Sequence, residues 1–238
     1  MKRFVLVSLV ILACVPKGVP KLSFWGRPST DGTRLVVSYR VENSEESGEI
    51  ILRGDGTGIS SSPVASDTTY TLEISEPYET VEILYTDAKG NNDGGTVLRP
   101  MELYTFNLCL YDTCNNAVAF KDLEYAVFSG NSVPTGYRGF KFIKMNDTVM
   151  VVSLNGVVGW CKISSEITSY IAPDVSQYYD TLKVLPSKTY ALWFDDNGNI
   201  DINDFFGKIR IANITPDSIT FNVAIQTMKG LRWIKGGF

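Results

Sequence analysis

The chain has 238 residues, 44% of them hydrophobic and 20% charged, with a formal charge of −4 and no histidine. That balance supplies a core and argues against disorder, while mild acidity without a basic run makes nucleic acid a poor partner. The missing histidine excludes Ser-His-Asp and Cys-His nucleophiles and His-based zinc sites, and removes the commonest general base.

The N-terminus reads as an export signal. Lys2 and Arg3 are followed by a run from Phe4 to Leu12 that is apolar except at Ser8, and Ala13 closes it before Cys14. As a helix the run is about 14 Å long, whereas crossing a bilayer takes about 20 residues, so it predicts a cleaved signal peptide over residues 1–13. Ile11-Leu12-Ala13-Cys14 resembles the bacterial lipobox. That resemblance implies lipidation of Cys14, a membrane anchor and a place in the bacterial cell envelope; the alternative is an ordinary signal peptide cleaved nearby. Residues 14–20, with Pro16, Gly18 and Pro20, read as an extended tether.

Beyond the tether the pattern is that of strands. Short β-branched and aromatic runs punctuated by Gly, Asn, Asp and Pro fall at 34–41, 49–53, 69–74, 80–86, 101–110, 149–154, 157–163, 189–194, 208–214 and 219–226. Helical periodicity is confined to 166–179, where Pro173 reduces the expectation to one turn or a loop. The fold class expected is all-β, with two sandwich-like domains meeting near Arg99-Pro100. The first takes residues 21–100 and the second 101–238. Lys89-Gly-Asn-Asn-Asp-Gly-Gly reads as a turn, with Thr96–Leu98 as the last strand of the first unit.

Within 21–100, Tyr70-Thr-Leu72, Pro77-Tyr78, Val81-Glu-Ile83-Leu-Tyr85-Thr-Asp87 and Gly90-Asn91 resemble the later strands of a fibronectin type III or immunoglobulin-like domain. Tyr39 stands where such domains carry an early-strand tryptophan, and Trp25 is expected to supply that bulk. The strand pattern of 189–226 resembles the C-terminal strands of HmuY-type lipoproteins. Their haem ligation uses histidines, so the resemblance implies a fold and not that activity.

Cys109 and Cys114 flank Leu-Tyr-Asp-Thr, whose turn chemistry allows a hairpin disulfide; reduced, packed cysteines are the alternative. Cys161, beside Trp160 in an apolar stretch, fits a core role. No glycine-rich phosphate loop stands at a strand-to-helix junction.

Asp195-Asp-Asn-Gly-Asn-Ile-Asp-Ile-Asn-Asp204 resembles the calcium loop of EF-hands and dockerins. Asp195, Asn197, Asn199, Asp201 and Asp204 would fill positions three, five, seven, nine and twelve, with Gly198 at six. Position one would be Trp193, which has no oxygen to give, and the flanks alternate as strands. The competing expectation is an Asx-rich β-hairpin with a tight turn at Asn197-Gly198 and solvated carboxylates. Trp160, Tyr170, Tyr178 and Tyr179 are candidate ligand-binding aromatics, since flat rings stack on sugars; packing in the core is the other reading.

Taken together these features imply a non-catalytic, lipid-anchored envelope protein with a structural or protein-contact role, its partners being the membrane and envelope proteins or surface glycans. A surface lipoprotein binding carbohydrate or another small molecule is the alternative. A third is a hydrolase using paired carboxylates, which must converge to about 5–10 Å in a cleft.

Overall fold

The computed structural model describes residues 18–43, 48–156, 159–195 and 197–238. Lipidation at Cys14 and most of the tether fall outside them. Among the described residues the chain forms four antiparallel sheets and no α-helix. The fold is therefore all-β, as the strand pattern predicts.

The first two sheets hold β1 (Lys21–Pro28), β2 (Leu35–Glu42), β3 (Glu49–Gly54), β4 (Thr57–Pro63), β5 (Thr69–Ile74), β6 (Val81–Thr86) and β7 (Asn92–Leu98). Their orders are β1-β2-β5 and β4-β3-β6-β7. Period-two alternation sends Leu35, Val37, Tyr39 and Val41 of β2, Ile50 and Leu52 of β3, and Val81, Ile83 and Tyr85 of β6 into one core. Tyr39 is buried there and stacks on Tyr70, with ring centroids 5.6 Å apart.

The alternation also corrects the expectation for Trp25. Leu22, Phe24 and Gly26 occupy the inward positions of β1, so Trp25 faces outward and is 48% exposed. The tryptophan in this core is Trp233, which arrives from the C-terminal tail with no exposure at all.

The expected turn forms at 87–91, where Gly90 N donates to Asp87 O at 3.0 Å, but residues 92–95 are a second correction, because pairing with β6 runs from Leu98 back to Asn92. Asn, Asp and two glycines suggest a turn, but Gly94 and Gly95 stand in β7 at positions where nothing larger fits. A Cβ at Gly94 would lie 2.4 Å from the Ile83 carbonyl oxygen, and one at Gly95 would lie 2.7 Å from the Phe24 ring.

The second pair of sheets comprises β8 (Glu102–Cys109), β9 (Ala117–Lys121), β10 (Glu124–Phe128), β11 (Arg138–Met145), β12 (Thr148–Leu154), β13 (Trp160–Glu166), β14 (Tyr178–Tyr179), β15 (Thr181–Lys183), β16 (Thr189–Asp195), β17 (Phe205–Ile214) and β18 (Ser218–Ile225). In the stretch of helical periodicity the one helical element is a 3₁₀ turn at Val175–Gln177, followed at once by β14. The five-stranded order is β10-β9-β11-β12-β15, and the six-stranded order is β14-β13-β16-β17-β18-β8. Between them lies a large apolar core that includes Phe106, Phe120, Phe140, Phe142, Phe194 and Phe221.

The six-stranded sheet is apolar on its outer face too. Ala191, Trp193, Phe206 and Ala224 point outward and are covered by Ala172, Tyr178 and Ile234. Residues 226–238 thus lie between the units: Leu231 and Trp233 enter the first core, and Ile234 caps the second sheet. Backbone bonds from Arg232 N to Gly32 O, Ala172 N to Arg232 O and Ile234 N to Tyr170 O hold the tail on both sides. The Trp233 indole N–H donates to Thr33 O at 2.8 Å.

Trp233→Ala removes a fully buried ring and that hydrogen bond, and is expected to cost about 3–5 kcal/mol in denaturant unfolding. A loss below about 1 kcal/mol, the range of an ordinary surface change, would mean that the tail is not part of the first core.

Candidate functional site

β16 ends at Asp195 and β17 begins at Phe205, so Asn197-Gly198 is part of a longer loop and not the tight two-residue turn expected. The loop is organised by its own acids. Asp195 accepts from the backbone N–H groups of Asn197 and Gly198, each at 2.9 Å. Asn197 accepts from Asn199 N and donates from its side-chain amide to Asp201, both at 2.8 Å. Asp201 accepts from Asn203 N at 2.7 Å. One oxygen of Asp204 accepts from both Asp201 N and the Trp193 indole N–H at 2.9 Å.

Two of these carboxylates are not solvated, contrary to expectation for adjacent acids in a turn. Asp195 and Asp204 are 0% and 1% exposed, respectively. Burial pushes the Asp204 carboxyl up to about 7, with Asp195 and Asp201 adding repulsion, while hydrogen bonds from Asp201 N and Trp193 oppose the rise. Among the described residues no group of three or more His, Cys, Asp or Glu side chains is set to hold a metal ion. Calcium would have to replace amide and indole donors that these oxygens already satisfy.

The four candidate aromatics are dispersed. Tyr178 and Tyr179 are successive residues of one strand, so they face opposite ways. Tyr178 is buried against Trp193 at 5.3 Å, and Tyr179 is 45% exposed. The two rings therefore do not share one face, and Tyr178 takes the core reading. Tyr170 lies beside the tail, its ring 6.0 Å from the Lys235 ammonium. Trp160 lines a cavity of about 340 Å³ with Ser153, Asn155, Lys162 and Asp180. Alternation along β13 puts Trp160 and Lys162 on one face, a signal present in the sequence. Asp180 comes from the turn before β15 and carries no such signal. A larger hollow of about 460 Å³ lies on the β3-β6-β7 sheet, floored by Ile51, Leu84 and Gly94.

Cys109 and Cys114 form a disulfide with 6.2 Å between Cα atoms, closing the turn after β8. Cys161 is buried, and burial raises its thiol well above the ordinary value, which keeps it protonated in the core.

No protein-family model matches the chain, and no curated protein matches it. Among solved structures it is similar to a DUF4466 family protein from Parabacteroides merdae. Identity is 11% and the TM-score 0.36, over 90% of this chain and 100% of that one.

Asp204 generates a prediction with a definite sign. Asp204→Ala strands two donors and is expected to cost roughly 1–3 kcal/mol, whereas Asp204→Asn keeps an acceptor for them. The folded-state value near 7 lies above the ordinary 3.8, so the contribution of the protonated group is full below about pH 4 and is lost as pH rises to about 7. Thermal midpoints of the parent should fall across that window, and those of Asp204→Asn should lack this component. A parent midpoint that rises with calcium and falls with chelator would return the loop to the metal-site reading.

Proposed function

We propose that the chain is a lipid-anchored protein of the bacterial envelope that displays two β-sandwiches for contact with another envelope protein and catalyses no reaction. The observation that carries this reading is the placement of the chain's two ends on the first sandwich. Gly18, Val19 and Pro20 enter beside Asn43, Asp87, Lys89 and Asn91. The tail grips the opposite end, at Gly32, Thr33 and Asp55. With lipid on Cys14, residues 15–20 span at most about 20 Å, so the first sandwich stands close to the bilayer and holds the second away from it.

The finer assignment of the first unit rests on its topology. Seven strands in two antiparallel sheets, with β5 returning to the sheet of β1 and β2, support a fibronectin type III or immunoglobulin-like module, a class used widely for contact between proteins. The HmuY-type resemblance of 189–226 now belongs to β16, β17 and β18 of the six-stranded sheet, and we extend it no further than those strands.

Expressed in a bacterial host with a labelled fatty acid, the chain should take up label and sediment with membranes. Cys14→Ser should lose both properties. Equal membrane association of the two proteins, or no label in the parent, would remove the anchor. Crosslinking on intact cells tests the contact role, which fails if no envelope protein is joined to the parent.

A further inference from the structure

The cavity beside Trp160 has a composition that selects a class of ligand. Its floor is built from β13 and the end of β12, and its wall is the turn carrying Asp180. Ser153 N donates to Asp180 O at 2.7 Å, which fixes that turn against the strand. Lys162 stands between two indoles, its Nζ 5.0 Å from the centre of the Trp160 ring and 5.7 Å from that of Trp193. Cation–π attraction at such distances holds the ammonium in place.

Lys162 Nζ and Asp180 Oδ1 are 3.9 Å apart, beyond hydrogen-bond length. Each therefore keeps bonding capacity, and a hydroxyl lodged at the gap can accept from the ammonium while donating to the carboxylate. Ser153 and Asn155 add groups that both donate and accept. The charges offset each other, so the cavity favours neither an anion nor a cation, while its polar groups make it a poor host for a purely apolar molecule. Trp160 supplies a flat apolar surface. At about 340 Å³ the space lies at the small end of ligand sites, which run from about 300 to 1,000 Å³.

We propose that this cavity binds a neutral saccharide, with adjacent hydroxyls bridging Lys162 and Asp180 and a C–H face against Trp160. The site is independent of lipidation at Cys14, so it stands or falls separately from the anchor. Of the candidate aromatics it uses Trp160 alone.

The purified full chain, in detergent, is to be screened on an array of neutral glycans, and hits measured by calorimetry as free mono- or disaccharides beside glucuronate. At least one neutral saccharide should bind at a millimolar dissociation constant or better, with glucuronate weaker. Trp160→Ala and Asp180→Asn should each weaken binding at least tenfold with unchanged thermal midpoints. Trp160→Phe should retain part of the affinity, and Tyr170→Ala all of it. A blank array, a preference for glucuronate, or binding that survives Trp160→Ala overturns the proposal. If Trp160→Ala lowers the midpoint, Asp180→Asn, at an exposed side chain, decides the matter in the same way.

Discussion

The insertion of residues 231–234 between the two sandwiches is the contact on which the rest of the molecule depends. Successive side chains go to different places: Leu231 and Trp233 into the first core, Ile234 onto the outer face of the six-stranded sheet. Tyr78 meets the Trp233 ring edge-on at 6.4 Å, so a residue about 200 positions from the β1–β2 turn completes the packing there. Closing so long a loop costs entropy that grows only slowly with length, and burial of a tryptophan and two aliphatic side chains offsets it. One segment thus finishes the first hydrophobic core and shields the apolar outer face of a sheet from the second.

Sequence periodicity revealed the strands whose side chains alternate, and missed those built for other reasons. β2, β3, β5, β6, β16 and β18 carry apolar residues at every second position, and their bounds shift by a residue or two at most. β4 reads Thr-Gly-Ile-Ser-Ser-Ser-Pro and is mostly exposed, so it has almost no apolar signal. Its best clue is the turn before it, Asp55-Gly56, with φ of +50° and +79°, as a two-residue hairpin requires. β7 is disguised by glycines that are required by close neighbours. Bulk alone suggests an inward Trp25, but Leu22 and Phe24 set the parity of β1 and turn it outward. Leu231-Arg-Trp-Ile234 lies beyond the last alternating strand and carries no periodicity of its own, because partners so distant leave no local trace.

The acidic loop shows the same division. Its residues and its hairpin context were legible, since Asn, Asp and Gly favour such loops between alternating strands. The role of Trp193 was not. Counted as a calcium loop, it occupies the first ligand position and has nothing to donate to a cation. In the fold that indole supplies an N–H to Asp204, which explains why an acid can be buried there. Burial in turn raises the Asp204 carboxyl, a consequence of depth that spacing in the sequence cannot carry. The cavity at Trp160 was half legible for a parallel reason: alternation pairs Trp160 with Lys162, but Asp180 reaches it by tertiary folding alone.

The polar groups at the junction act on orientation more than on stability. Arg232 is buried, and its guanidinium gives Nε–H and N–H bonds to Ala172 O at 3.0 and 2.6 Å and an ion pair to Asp174 at 2.8 Å. Desolvating a guanidinium consumes most of what such bonds return, so apolar residues of similar size could hold the units together as firmly. They would not fix the angle between them. Two nitrogens of the Arg232 guanidinium meet the Ala172 carbonyl on one side while the third and the backbone N–H reach Asp31 O and Gly32 O on the other, and Gly230 N bonds Asp204 O at the base of the acidic loop. Rotating either sandwich would break several of these directional bonds together and leave buried donors unsatisfied, which is far costlier than sliding one apolar surface over another. The hydrophobic residues therefore bring the sandwiches together, and the hydrogen bonds of the tail and loop select one arrangement among those that burial alone would allow.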